Sequence, residues 1–418
     1  MKISLIVEYL NGRGGTARQA LELGRQLLLS GHEVQIVTLV WDRQACFPEL
    51  TASLPIKAVT EVHSCIQGRG WIQFLPAFVQ KILRYGARLS GVSYLANYSL
   101  MRNSTLRLTA LLRKAAKGSD ILNPHDFGPA AWAAAEVGKE LNIPVVWQCN
   151  DPFLRWDVSR LLARPIRNWI IQADQSRVLG IRHITTLDTR VARVVQQRYG
   201  CQSKVVRSGV DLKSFESLPD KSAARRALGL REKSRISLVL AFLNSPHRNV
   251  EDAIDSHALG PGDVILVLAA PAPNQNLSGY PARIASAISA SPARERIVWL
   301  RQPLAGDNDL RNLFAASDIF VFPNVQQTWG LAVIEAAAAG LPVVISDAAG
   351  VSEVFQHTVN AMVYPGGDVT DLTRHLALLW NNQVMRNEIA VRGQEMVRTS
   401  FSWDKYASAM QEIFREVL

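Results

Sequence analysis

The chain has 418 residues, a formal net charge of +10, 48% hydrophobic and 20% charged residues. That length exceeds one ordinary core and points to two domains, and the composition excludes a disordered or fibrous chain. No apolar run reaches transmembrane length, the start MKISLIVEYLNGRGG lacks a signal-peptide cleavage pattern, and Cys46, Cys65, Cys149 and Cys201 are dispersed without metal spacing, so the expectation is a reduced, cytoplasmic protein with no structural metal.

Residues 3–8 read as a buried strand, 9–15 as a loop, 16–30 as a helix and 34–40 as a second strand, the opening of a doubly wound α/β domain. The loop NGRGGTA fits G-x-G-x-x-A with Gly12, Gly14 and Ala17, and Asp42 follows the second strand. That pattern keeps a nicotinamide-dependent dehydrogenase open as a reading. Residues 60–118 form a long, basic insertion. In it Trp71, Phe74, Leu75, Phe78, Ile82, Tyr85 and Leu89 recur at helical spacing, with Lys81, Arg84 and Arg88 on one flank. An anionic membrane surface could take such a helix through 71–117, and a helix packed on its own domain reads the same way.

Strands at 120–123 and 143–148 end in the loops Pro124-His125-Asp126 and Cys149-Asn150-Asp151. Loops at strand C-terminal ends are where open α/β sheets bind ligands. Strands at 183–186 and 204–207 close the first half, and Ser208-Gly209-Val210-Asp211 begins the second. Residues 1–215 hold 28 Lys+Arg against 15 Asp+Glu, a net of +13, and the remainder hold 18 against 21, a net of −3. The basic residues are scattered, with no nucleic-acid-binding motif, so an anionic membrane surface or a phosphate-bearing acceptor explains them better than nucleic acid.

The second half repeats the rhythm, with strands at 237–243, 264–268, 297–300, 319–322 and 343–346. Between the last two lies QTWGLAVIEAAAAGLPVV. Its helix holds one charge, Glu335, among alanines and branched aliphatics, which a buried face tolerates only when the carboxylate is paired or binds a ligand. Gly330 and Leu331 stand where free helix amides favour phosphate.

This segment resembles the donor-site signature of the family-4 retaining glycosyltransferases. The resemblance implies the GT-B fold: two Rossmann-like, doubly wound parallel-sheet domains facing a central cleft. It spans essentially the whole chain, as an acceptor-side domain at 1–208, a nucleotide-sugar domain at 209–403 and a helix at 404–418 returning to the first. It implies donor-site roles for Gly14, Gly15, Arg248, Asn249, Gln327, Thr328, Trp329, Gly330, Leu331 and Glu335, with Glu335 on the ribose and Gln327, Thr328 and Trp329 along the donor sugar. His125 matches the family's active-site histidine, so His125 and Glu335 are the catalytic candidates.

The implied substrate is a nucleotide-diphosphate sugar, with no further cofactor and no metal, and the acceptor is a glycan, a lipid-linked or a small molecule. Two positions depart from the pattern. Gln327 replaces the first acidic residue, and Phe242 stands where an arginine would neutralise the diphosphate, leaving Arg248 (or His247), with Arg301 as a further candidate, to do so. A catalytically silent subunit that binds a partner would explain both departures.

Overall fold

The computed structural model describes the chain except residues 63–91, 153–163, 244, 271–278, 302–303 and 305. The amphipathic stripe from Trp71 to Leu89 lies outside the described residues. The chain divides into two compact units, the first made of Met1–Val206 with Ala407–Leu418 and the second of Arg207–Tyr406.

Unit 1 carries the parallel strands β1 (Lys2–Leu10), β2 (Glu33–Asp42), β3 (Ile56–Val62), β4 (Ile121–Pro124), β5 (Val146–Gln148), β6 (His183–Thr186) and β7 (Ser203–Val205). They run β3-β2-β1-β4 and β5-β6-β7, and the parallel bridges Leu122↔Val145 and His125↔Gln148 join the two groups at β4 and β5. The strands are apolar runs because helices cover both faces. On one face Ile6, Leu108, Leu112, Leu122, Ala130 and Val137 form a dry cluster that docks the helices Val92–Ala115 and Pro129–Leu141. Each such leucine contributes about 1.5–3 kcal/mol by leaving water. The described part of the basic insertion is therefore largely a packed helix, and its Arg113 is paired with Glu136 and Glu140.

Unit 2 holds β8 (Arg235–Leu240), β9 (Val264–Ala269), β10 (Ile297–Trp299), β11 (Ile319–Phe322), β12 (Val343–Ser346) and β13 (Met362–Tyr364), in the order β10-β9-β8-β11-β12-β13. Relabelled within the unit, that is 3-2-1-4-5-6, the dinucleotide-binding order. In both units the winding reverses between the first strand and the fourth: at β1/β4 in unit 1 and at β8/β11 in unit 2. Loops leaving those strands open a crevice without needing to cross a helix, so ligands gather there.

Within unit 2 the chain's entry and exit lie back to back. Val210 bridges Ser402, and a Cβ on Gly209 would stand 2.2 Å from the Ser402 carbonyl carbon.

Candidate functional site

The loop after β8 turns through Pro246–Arg248 and then Asn249, whose left-handed φ of +50° starts the helix Val250–Leu259. Asparagine tolerates that conformation better than most residues. Its Nδ2 donates to Asp252. The turn is tied to the loop after β11, where the Val325 amide donates to the His247 carbonyl at 3.0 Å.

Arg248 lies at the meeting of the two loops. Its Nη1 donates to Gln327 Oε1. The Asn324 amide, oriented to satisfy its neighbours, accepts from Nη1 at 3.0 Å and donates to the Arg248 carbonyl at 3.3 Å. Arg248 Nε is buried without a partner, and no carboxylate pairs with this guanidinium among the described residues. Burial pulls its pKa below the usual arginine value, and a desolvated cation held by neutral amides is a ready counter-charge for an anion. His247, beside it, is lowered by burial and then by Arg248.

Gln327 is itself fixed: its backbone pairs with Ala349 and its carbonyl accepts from the Gly350 amide at 2.9 Å. Gly330 caps the helix Leu331–Ala338 at a φ of +85°, and a Cβ there would meet the Phe322 ring at 3.2 Å. Conformation and space both demand glycine. The helix has no side-chain cap and no acid in its first turn, so its leading amides are available to an anion. Glu335 is buried on that helix and Leu331 is half-buried at its start. Thr328 is half-buried on the loop. Trp329 turns its ring inward: it is 2% exposed and 5.6 Å from Phe401. The resemblance assigns Trp329 to the donor sugar, and its ring packs inward against Phe401. Arg301 stacks on Trp299 at 4.8 Å.

In unit 1 Gly14 is the N-cap of the helix Gly15–Leu29, again without a side-chain cap, and a Cβ on Gly14 would meet nothing within 4 Å. Internal packing does not require glycine at this position. Asp42 lies at the end of β2 and spends Oδ1 on the amides of Gln44 and Ala45, both at 3.0 Å, so it closes its own turn. His125 follows β4 fully buried. Its Nε2 lies 3.0 Å from Asn123 Oδ1, and Asn123 Nδ2 donates to the Val146 carbonyl at 2.5 Å. This network puts the proton on Nε2 and leaves Nδ1, which has no partner, as an acceptor. Burial drops the His125 pKa to about 3, so the imidazole is neutral.

Sequence reasoning missed Asn324, which is fully buried, and the carboxylates Glu8 and Asp126. Asn324 and Asp126 each follow a short apolar strand by two residues, which was the available signal, whereas Glu8 lies within β1 and gave none.

Two doubly wound parallel units, each with a polar loop cluster at its winding reversal, define a GT-B protein. The fold is shared with Anabaena HepE in complex with UDP, at a TM-score of 0.73 and 17% identity over the whole of both chains. It is also shared with WaaG, a glycosyltransferase involved in lipopolysaccharide biosynthesis, at 0.69 and 16% over 98% of this chain and 99% of that one. Residues 13–214 match the model of Glycosyltransferase Family 4, and residues 220–396 match that of Glycosyl transferases group 1. The chain belongs to this family, the group 1 glycosyltransferases of family 4. Curated relatives include the D-inositol 3-phosphate glycosyltransferases of Mycobacterium marinum, 28% identical over 51% of this chain and 45% of that protein, and of Salinispora arenicola, 27% identical over 51% and 50%. The chain spans about half the length of the curated relatives it matches. Among the described residues no helix is long and apolar enough to cross a membrane.

Proposed function

We propose that this chain transfers a sugar from a nucleoside diphosphate donor to a hydroxyl acceptor, with retention at the anomeric carbon and without a metal. The observation that carries this is Arg248, a guanidinium with a buried Nε, no carboxylate partner among the described residues, and a setting of side-chain amides at the winding reversal of unit 2. In this role Arg248 and the amides at Gly330 and Leu331 take up the charge that develops on the departing diphosphate, which is electrostatic catalysis by preset groups. Within unit 2, Glu335 accepts from the ribose hydroxyls and Asn249, Gln327 and Thr328 contact the donor; within unit 1, Gly14 and Gly15 keep their loop open and neutral His125 offers Nδ1 to a sugar hydroxyl. The basic first half suits work at an anionic membrane face in surface polysaccharide or glycolipid assembly.

A second reading, a silent subunit, draws on Gln327, which occupies the place of an acidic residue. Thermal unfolding with UDP, GDP, ADP and NAD separates the readings. At about a hundred times its dissociation constant, a bound ligand adds about 2.7 kcal/mol. One nucleoside diphosphate is expected to stabilise the wild type but neither Arg248→Ala nor Glu335→Ala. Since HepE was crystallised with UDP and with UDP-glucose, uridine is the first base to try. A response to NAD alone would point to a dehydrogenase. Stabilisation by none of the four favours the silent subunit.

A further inference from the structure

The loop that carries Gln327 and Thr328 is held at two points, and both lead to the place where the chain enters and leaves unit 2. The first is Trp329. A tryptophan on a loop ordinarily keeps its polar edge near water, yet this one is 2% exposed and packs its ring on Phe401 at 5.6 Å, with the planes at 58°. Phe401 ends the helix Gln383–Ser400 and opens the segment by which the chain leaves the unit. Its carbonyl accepts from the Val210 amide at 3.3 Å, and Val210 bridges Ser402. The donor loop thus rests on the exit strand of that pair.

The second tie runs through the backbone. Gln327 pairs with Ala349, and its carbonyl accepts from the Gly350 amide at 2.9 Å. Gly350 opens a short 3-10 turn, Gly350–Val354, and Glu353 in that turn accepts from Arg207 Nη2 at 2.7 Å and from Arg207 Nε at 3.2 Å. Arg207 is the first residue of unit 2. The loop is therefore fastened to the entry by Arg207 and to the exit by Phe401, while Val210 joins entry to exit. Neither end has slack. A Cβ on Gly330 would meet the Phe322 ring at 3.2 Å and Val351 at 3.5 Å, and one on Gly209 would stand 2.2 Å from the Ser402 backbone. Groups packed this closely pass a displacement on rather than absorb it.

We propose that Trp329 and Glu353 are positioning residues that make the donor loop and this junction one cooperative element. A ligand that orders Gln327, Thr328 and the amides at Gly330 and Leu331 then tightens the pairing of Val210 with Phe401 and Ser402, and firm pairing favours the ligand by the same factor. Naming that ligand a nucleoside diphosphate rests on the transferase reading above; the link between loop and junction does not. It also gives the Trp329 ring a use other than contact with the donor sugar. Its Nε1 is buried without a partner among the described residues, so packing rather than a hydrogen bond holds the ring.

Amide hydrogen exchange on the full chain tests this, first without any nucleotide. Trp329→Ala is expected to speed exchange of the Val210 amide about fivefold or more, the scale of a lost buried aromatic pair, and Trp329→Phe to recover most of it. Read the other way, Phe401→Ala is expected to speed the Gly350 amide by a similar factor. The Leu300 amide, which donates to the Leu268 carbonyl at 2.9 Å at the β10 edge of the sheet, is expected to keep its rate in all three variants. UDP, GDP and ADP are then added in turn. The one that binds is expected to slow Val210 exchange in the wild type and in Trp329→Phe, but not in Trp329→Ala. The proposal is overturned if Trp329→Ala leaves Val210 at its wild-type rate, if Leu300 loosens as much as Val210, or if a bound nucleotide leaves Val210 unchanged. A chain that binds none of the three nucleotides yet shows the reciprocal changes would lose the donor reading and keep this one.

Discussion

Gln327 and Phe242 are better understood together than singly. The family pattern has a carboxylate at the first position and a cation at the second; this chain has lost both charges, and Gln327 now bonds Arg248. A glutamate there would close a partly buried ion pair with Arg248 and spend the cation that the diphosphate requires. Gln327→Glu is therefore expected to weaken nucleoside diphosphate binding about tenfold or more, since a hydrogen bond to a charged group contributes about 1.5–3 kcal/mol. Calorimetric titration checks it, and tighter binding would mean that the site has decayed. Glu8 gives a second residue-scale expectation. Burial pushes its pKa up to about 7 from 4.5, Asp126 adds to the rise, and the Tyr9 hydrogen bond opposes it. A carboxyl raised on folding stabilises the protein below its unfolded value and loses that contribution as pH climbs through the folded one. The stability difference between Glu8→Gln and wild type is thus expected to grow in the variant's favour from pH 4.5 to beyond 7 in urea unfolding series. His125 titrates in the other sense: lowered to about 3, it loses stability as pH falls from 6.5.

Among the elements, the two glycine-dependent contacts separate a conformational demand from a steric one. At Gly330 an added methyl meets the Phe322 ring at 3.2 Å in a left-handed backbone, so Gly330→Ala is expected to cost about 1–2 kcal/mol for the backbone alone. At Gly209 the methyl would overlap the Ser402 backbone at 2.2 Å, and backbone cannot swing aside as a ring can. Gly209→Ala is expected to be the more destabilising of the two, by chemical denaturation of both variants. The strands that the sequence made legible are those buried on both faces, because continuous apolar runs have no other use in a globular chain. β3 was missed because it is an edge strand whose residues Lys57, Thr60 and Glu61 meet solvent, and β13 because three residues, Met362–Tyr364, are too few for a pattern. The donor loop was legible as a motif. The bond between Arg248 and Gln327, 79 residues apart, and that between Thr16 and Asp126, 110 apart, are products of the fold that no local pattern contains.

For the whole molecule, the charge reading needed the fold to become specific. A surplus of +13 in the first half suggested anions, and in the more acidic half Arg248 stands with no carboxylate partner among the described residues. Net charge describes what the surface attracts from a distance, and buried groups decide what is bound.

The pairing of Val210 with Ser402 carries a consequence for how the chain is made. Unit 2 is in effect an insertion: it opens at Arg207 and closes at Tyr406, while unit 1 waits for its final segment, Ala407–Leu418. His32 Nε2 lies 3.2 Å from Gln411 Oε1, and Lys204 pairs with Glu416. On the ribosome, where domains emerge from the N-terminus at about 5–20 residues per second, the half synthesised first is thus the half completed last. Unit 2 can close on itself while its host still lacks a helix.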